Sequence, residues 1–407
     1  MNKALFSLFT VCLFFGTGAA REVVREVHIT NPSDFPRTAY PVVVDLAAHA
    51  DGMHVRSALV IHDGKETPSQ LDDLNEDFQA DELAFTVDIP AHRTTVYRVT
   101  LSDKETNRHY PRKTRAYLKL HDQKGKHPEV KSVTFPGNAD LFDMYNSIYG
   151  HGAVFESHIA AFRIYMDNRQ SIDLYGKTFY RLETDSTGFY TTPAQLEQGY
   201  GCDILWAGKS VGAGSFRGYR DGNPCYIDTV AWRRQTILAD GPVRSIVEVA
   251  DGQWIYDGQP LHMTQRYTLY AGHRDVEVDI TIDGAAPDAT FCTGIQKLER
   301  HSCGFMQKDG LCGSWGNNVP EKSDPEHDEW VGLGLLTAAS NRTGMKEDDF
   351  NYLTLLKTDD SRHIRYRITV CAGREKEGFK SSKEWFDYLH HWKNECDKPC
   401  TVRVTEL

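Results

Sequence analysis

Between Tyr149 and Lys177 the chain gathers side chains that can move protons and hold anions. Tyr149-Gly150-His151-Gly152-Ala153-Val154-Phe155-Glu156-Ser157-His158 leads into Ala161-Phe162-Arg163-Ile164-Tyr165-Met166-Asp167 and on through Arg169, Asp173, Tyr175 and Lys177. A histidine crosses between neutral and charged forms near pH 7 and so serves as acid or base. Side chains two apart on a strand share a face, so Phe162, Ile164 and Met166 point one way and Arg163, Tyr165 and Asp167 the other. One face packs on a core while the other offers a cation, a phenol and a carboxylate. A solvated sheet face with cross-strand charge pairs gives the same pattern.

A second group, Trp206, Lys209, Phe216, Arg217, Tyr219 and Arg220, surrounds Gly212-Ala213-Gly214-Ser215. Interleaved arginines and aromatics suit stacking on sugar rings and pairing with carboxylates, although ordinary surface aromatics look alike. The glycine run lacks the lysine and the strand-to-helix setting of a phosphate cradle and reads as a tight turn. There is no G-x-S-x-G elbow, H-E-x-x-H, Walker loop or dinucleotide fingerprint, so no cofactor is expected. His301-Ser302-Cys303 and Cys312 carry ligand-type side chains without zinc spacing, and no metal is expected. His273, Arg274 and Asp275 read as structural, and His327 as solvated in an acidic loop. His390 and His391 read as exposed or packed on a helix.

The elements that must position these groups are mostly strands. Runs such as Glu22–Ile29, Leu83–Ile89 and Thr94–Leu101 predict a small N-terminal β-sandwich over residues 21–105. Polar residues 106–140 read as linker and loops. Longer alternating runs, Val243–Val249, Leu261–Tyr270, Asp275–Ile282 and His363–Val370 among them, predict a large antiparallel sandwich over residues 141–407. Only Ser382–Asn394 has helical spacing, with Trp385, Tyr388, Leu389 and Trp392 on one face, and Thr401–Glu406 follows as a last strand. The fold class expected is therefore all-β, with few helices.

Composition narrows the class of partner. The 407 residues carry 46 Lys+Arg against 57 Asp+Glu, a net charge of −11, with no basic block. That excludes phosphate-backbone binding as the main task, so no nucleic acid is expected. Lys3, the apolar run Ala4–Phe15 and Gly18-Ala19-Ala20 read as an export leader cut after Ala20, which places the mature chain in the periplasm or outside the cell. No later run is long enough to span a bilayer as a helix. Of the nine cysteines, one lies in the leader. Among the other eight, Cys303 with Cys312 and Cys396 with Cys400 are the pairs best spaced for disulfides, with buried free thiols as the alternative.

Four stretches resemble a bacterial family, domain of unknown function 4861. They are Tyr149 through Asp173-Leu174-Tyr175-Gly176-Lys177, Gln198-Gly199-Tyr200-Gly201 with Asp203-Ile204-Leu205-Trp206, Thr264 through His273-Arg274, and Phe291-Cys292-Thr293-Gly294-Ile295-Gln296-Lys297. The resemblance implies an exported protein of glycan-degrading bacteria with a galactose-mutarotase-like β-supersandwich. It supplies no catalytic residues.

The expectation is a carbohydrate-active enzyme that works by β-elimination on uronic-acid-containing oligosaccharides, as a lyase or dehydratase. Removing the weakly acidic proton beside a carboxylate needs a base, here His151 or His158, and a cation over the carboxylate, here Arg163 or Arg217. Tyr219 or Tyr165 would protonate the leaving oxygen. Glu156, Tyr165, Tyr175, Lys177, Trp206 and Arg217 would contact the sugar. His151, His158, Arg163 and Arg217 should then converge in one concavity. Two alternatives share the fold: an epimerase or mutarotase using a histidine with Glu156, and a non-catalytic glycan-binding module stacking sugars on Trp206.

Overall fold

The computed structural model describes residues 20–320 and 328–407. The leader, apart from Ala20, and His327 lie outside them. Strands account for 51% of the chain and helices for 9%, which makes the fold all-β.

Among the described residues, two sheets form the N-terminal sandwich. One holds Glu22–Thr30, Ser57–His62, Lys65–Thr67 and Thr94–Ser102, the other Arg37–Asp45, Ser69–Asp72 and Glu82–Ile89. Alternation along Glu22–Thr30 turns Val23, Val27 and Ile29 inward, where they meet Val42, Val44, Phe85 and Val87 of the facing sheet. The last strand, Thr401–Glu406, pairs antiparallel with Glu22–Thr30, Val404 opposite Val27. The C-terminal strand therefore sits in the first sandwich and not in the second.

The larger body stacks a long sheet against two shorter ones. The long sheet runs, in spatial order, Ser132–Pro136, Trp232–Asp240, Arg244–Tyr256, Gln259–Tyr270, Asp275–Asp283, His363–Ala372, Glu329–Thr337, Leu311–Asn318 and Arg300–Met306. Facing it are the site sheet (Cys202–Asp203, Ile172–Gly176, Ala161–Tyr165, Ile148–Ser157, Thr114–Leu120, Glu129–Val130) and a short sheet that contains Arg217–Arg220 and Phe291–Gln296. Thr114–Leu120 and Ser132–Pro136 fall in the stretch expected as linker, and both contribute strands to this body. One continuous core joins the three sheets, with Phe155, Phe162, Ile164 and Leu174 of the site sheet meeting Val247, Tyr267 and Val278 of the long sheet.

The one long helix among these residues, Ser382–Asp397, packs on the other face of the long sheet. Its cap is Ser381, whose side chain accepts from the Glu384 amide, one residue before the expected start. Trp385, Leu389 and Trp392 are buried against Leu311, Trp315 and Cys371. Full burial of side chains this large stabilises by roughly 1.5–3 kcal/mol each.

All eight described cysteines are free thiols. Cys303 lies opposite Trp315 and Cys312 opposite Met306, so the hairpin register keeps the expected pair apart. Cys396 ends on the helix near the Arg367 guanidinium, while Cys400 joins the N-terminal core. The buried-thiol alternative describes these residues.

Candidate active site

The site grows from a break in one strand. Ile148–Ser157 pairs with Thr114–Leu120 on one side, but the register shifts between Tyr149 and Val154. At this bulge Gly150 has φ +75° and His151 has φ +66°, a left-handed conformation that side-chain-bearing residues seldom adopt. Gly152 must be glycine, because a Cβ there would lie 1.8 Å from the Ile164 carbonyl oxygen. One amide at the bulge, that of Ala153, is met from the long sheet. The buried Gln235 accepts from the Ala153 amide at 2.9 Å and donates to the Ile164 carbonyl at 3.0 Å. The bulge is thus held on both sides and presents His151 outward.

His151 stacks nearly parallel on Tyr145, ring centroids 3.8 Å apart at 9°. Its Nδ1 sits 3.2 Å from the Tyr145 carbonyl oxygen, an acceptor. The tautomer that satisfies this carbonyl carries the proton on Nδ1 and leaves the Nε2 lone pair for another partner. Burial holds the imidazole below its ordinary pKa. The Tyr145 carbonyl opposes this and the nearby Arg163 reinforces it. The ring is therefore neutral at pH 7. Tyr165 lies 6.3 Å from it by centroids, and Tyr190, 47% exposed, closes the group edge-on at 6.3 Å.

Behind the rings sits a charge cluster with one cation and two carboxyl groups. Cross-strand register places Arg163 opposite Asp173 and Tyr175 opposite Asp203, so both acids fall beside one guanidinium. Arg163 Nη2 bonds Asp173 Oδ2, Asp203 Oδ2 at 3.1 Å and the Tyr165 hydroxyl at 2.7 Å. Tyr165 in turn donates to Asp173 Oδ2 at 2.8 Å, and the Leu174 amide donates to Asp173 Oδ1. Asp173 thus receives three donors. Asp203 takes its own from Arg163 and from the Leu205 amide at 3.2 Å, and a quarter of its side chain is exposed. Burial raises the Asp203 pKa well above the carboxylate range, the Asp173 charge raises it further, and Arg163 opposes both. Burial and the same acid raise the Tyr165 phenol.

Further along the same face the charges are balanced and closed. Lys177 Nζ meets Glu156 Oε2 and the carbonyls of Ser157 and Arg181, with both side chains wholly buried. Glu156 also accepts from the amides of Glu183 and Thr184 and from the Thr184 hydroxyl. Tyr175 donates to Glu183, which also accepts from the Gly201 amide. These groups tie the segment around residues 183–201 onto the sheet. Glu156, Tyr175 and Lys177, expected to touch a ligand, are instead enclosed by protein.

The model of the family "Domain of unknown function (DUF4861)" matches residues 29–402. The chain belongs to this family. No curated protein matches it. Two solved structures are similar to this DUF4861 chain, a protein in the glycosyl hydrolase family 38 from Enterococcus faecalis and an alpha-mannosidase from Enterococcus faecalis V583. Each has 11% identity and a TM-score of 0.45, and covers 94% of this chain. The match takes in 47% and 46% of their lengths, so the chain spans about half of either.

The four residues expected to converge in this DUF4861 protein separate into three places. His151 and Arg163 share the cluster, and Arg163 donates to the Gly150 carbonyl. His158 lies just past the far end of the His151 strand, on the order of 20 Å away. There it faces Tyr180 edge-on at 6.5 Å. Arg217 is buried on the short sheet, donating to the Phe216 carbonyl at 2.8 Å and to Ser171 Oγ at 3.2 Å. Tyr219 leads the hairpin beyond it, and its hydroxyl donates to the Gly222 carbonyl. Trp206 is 46% exposed, three residues past Asp203, with its amide held by Asn318 Oδ1 at 2.6 Å. Arg163 cannot offer a free guanidinium to a ligand, because Asp173 and Asp203 already occupy it.

Sequence reasoning missed Tyr145, Tyr190, Asp203 and Gln235. The first two lie outside the stretch that drew attention, and Gln235 comes from another sheet. Asp203 had a signal: it begins the family stretch Asp203-Ile204-Leu205-Trp206. A cavity of about 640 Å³ lies elsewhere, between the N-terminal sandwich and the long sheet. Its arginines are paired, Arg244 with Asp72 and Glu82, Arg266 with Glu248, Arg365 with Asp279 and Asp359, and Arg367 with Glu277. Volume alone does not make it the reactive centre. Among the described residues no group of three or more metal-ligating side chains occurs.

Proposed function

We propose that the protein is a carbohydrate-active enzyme that performs acid–base chemistry on an oligosaccharide at the His151 cluster. The finer reading is β-elimination from a uronic-acid residue, as a lyase or dehydratase. The observation that carries it is His151, held in a left-handed bulge with Nδ1 on the Tyr145 carbonyl, beside a hydrogen-bonded group of Tyr165, Arg163 and two aspartates. A base so placed removes a carbon-bound proton when the substrate ring lies over Tyr145 and Tyr190, which supply stacking surface. Holding the base on a locked backbone lowers the reorganisation needed to reach the reactive geometry.

The cation over the substrate carboxylate is better assigned to Arg169 than to Arg163. Arg169 pairs with Asp167 at 2.7 Å and its side chain is 40% exposed. Its charge lies within electrostatic reach of Tyr145. The test is incubation with a panel of uronic-acid oligosaccharides, followed by ultraviolet absorbance and mass spectrometry. Unsaturated product with loss of water means a dehydratase, and with chain cleavage a lyase. Absence of unsaturation on every acidic glycan rejects elimination.

A second reading is favoured by the pairing of Arg163 with both acids. An epimerase or mutarotase needs a histidine and a carboxyl group but no free cation, and His151 with Asp203 meets that need where Glu156 does not. Anomeric or stereochemical exchange without unsaturation, followed by NMR, distinguishes it.

A further inference from the structure

Resting on the elimination reading, we propose that Asp203 carries a proton at neutral pH and is the acid that protonates the departing sugar oxygen, in place of a tyrosine. The geometry is that of two carboxyl groups sharing one cation. Asp173 and Asp203 both meet Arg163 Nη2 through Oδ2, so the two carboxyl oxygens lie within two hydrogen-bond lengths of each other. Two carboxyl groups held this close on one cation do not both ionise readily, and one of them keeps a proton. The donors converge on Asp173, whose oxygens accept from Arg163, Tyr165 and the Leu174 amide. Asp203 is the protonated member and the one with an exposed edge.

Every neighbouring element leaves this assignment in place. Arg163 and Tyr165 face it from their strand and Asp173 from the next. Tyr190 interacts with it from the segment above, and Cys202 adjoins it on its own strand. Tyr145 and His151 complete the rim through their stack with Tyr165. Tyr165 and Asp203 bond the same nitrogen and so lie within two hydrogen-bond lengths of each other. The tyrosine proton, however, is directed to Asp173 and is not free for a leaving group.

The step balances. His151 Nε2 takes the proton from the carbon beside the carboxylate, and that C–H electron pair becomes the new carbon–carbon double bond. The bond from the β-carbon to oxygen breaks, and the oxygen takes the Asp203 proton to leave as an alcohol or as water. His151 is left protonated and Asp203 ionised, and exchange with water restores both.

The experiment compares wild type with Asp203→Asn, an isostere of the neutral acid that still accepts from Arg163. Melting temperature should be unchanged. Infrared difference spectra at about pH 7 should show a protonated-carboxyl band in wild type that Asp203→Asn lacks; absence of that band overturns the proposal whatever the substrate proves to be. On a uronate carrying a sugar leaving group, elimination should fall about 10²–10⁴-fold. On the matching nitrophenyl uronate, whose leaving group needs no proton, it should fall less than about tenfold. Equal losses on both overturn the acid role. A wild type that shows the band but yields no unsaturated product rejects the elimination reading and keeps the protonated Asp203.

Discussion

One face of the site sheet carries two buried ionic networks, and they are built to opposite rules. At Glu156 and Lys177 one anion meets one cation, both are fully enclosed, and backbone donors and acceptors complete the shell. At Arg163 two carboxyl groups share one guanidinium, one of them reaches solvent, and a histidine in a left-handed bulge stands in front. A balanced, closed pair fastens a segment. An unbalanced, open one keeps a proton in play. Residue types alone do not tell the two apart, since each offers a carboxylate and a cation in strand-like runs.

Breaking the closed network should cost the fold most. Lys177→Met leaves Glu156 as an uncompensated buried charge, and chemical denaturation should report a loss of about 3–5 kcal/mol. Burial lowers the Lys177 pKa while Glu156 opposes that shift, which is the balance expected of a cation that only its partner keeps charged. The open network should respond in the other way. His151→Gln should lower turnover about 10²–10⁴-fold with little change in melting temperature.

The link between the two regimes is Gln235. Gln235→Ala removes the partners of the Ala153 amide and the Ile164 carbonyl, and should cost about 1–3 kcal/mol with a drop in activity. Restoring activity in such a variant by lowering temperature would locate the damage in the bulge.

A smaller effect tests a pair that faces the N-terminal sandwich. His273 meets Asp275 at 3.0 Å and the Ala39 carbonyl at 2.9 Å. Burial lowers its pKa, but the Asp275 charge and hydrogen bond outweigh that and the net shift is upward. A folded pKa above the unfolded value of about 6.5 means the stabilisation is fully present below that pH and fades as pH rises through the folded value. Thermal melts should fall across that window in wild type and be flatter in His273→Gln. Asp275, held near 2 against burial by His273, works from the acid side: its stabilisation is present above about 3.9 and is lost as pH falls toward 2.

Much of the architecture was legible because strand alternation is a local property. Leu261–Tyr270 and Asp275–Ile282 appear as paired strands with Leu269 opposite Val276, and Trp385, Leu389 and Trp392 line the buried side of the helix. The site was legible only in part. Alternation placed Arg163 and Tyr165 together, but whether a cation is free depends on partners from other strands. Asp203 lies 40 residues from Arg163, and Gln235 is 82 residues from Ala153. His151 and His158 looked equivalent in sequence, and only the bulge and the strand's length separate them. Arg217 and Trp206 looked like one cluster, yet one is core and the other surface. Asn341, which opens a glycosylation sequon, is buried, with its amide held by the Lys357 and His363 carbonyls.

The central claim is that proton transfer at His151 makes this face the reactive one. Its most direct measurement is the absorbance of unsaturated product from uronic-acid oligosaccharides as a function of pH, for wild type and His151→Gln side by side. The account predicts a rate in wild type that rises through a pKa below about 6.5 as the imidazole loses its proton, and no such limb in the variant. Equal rates with equal pH profiles in the two proteins would contradict it.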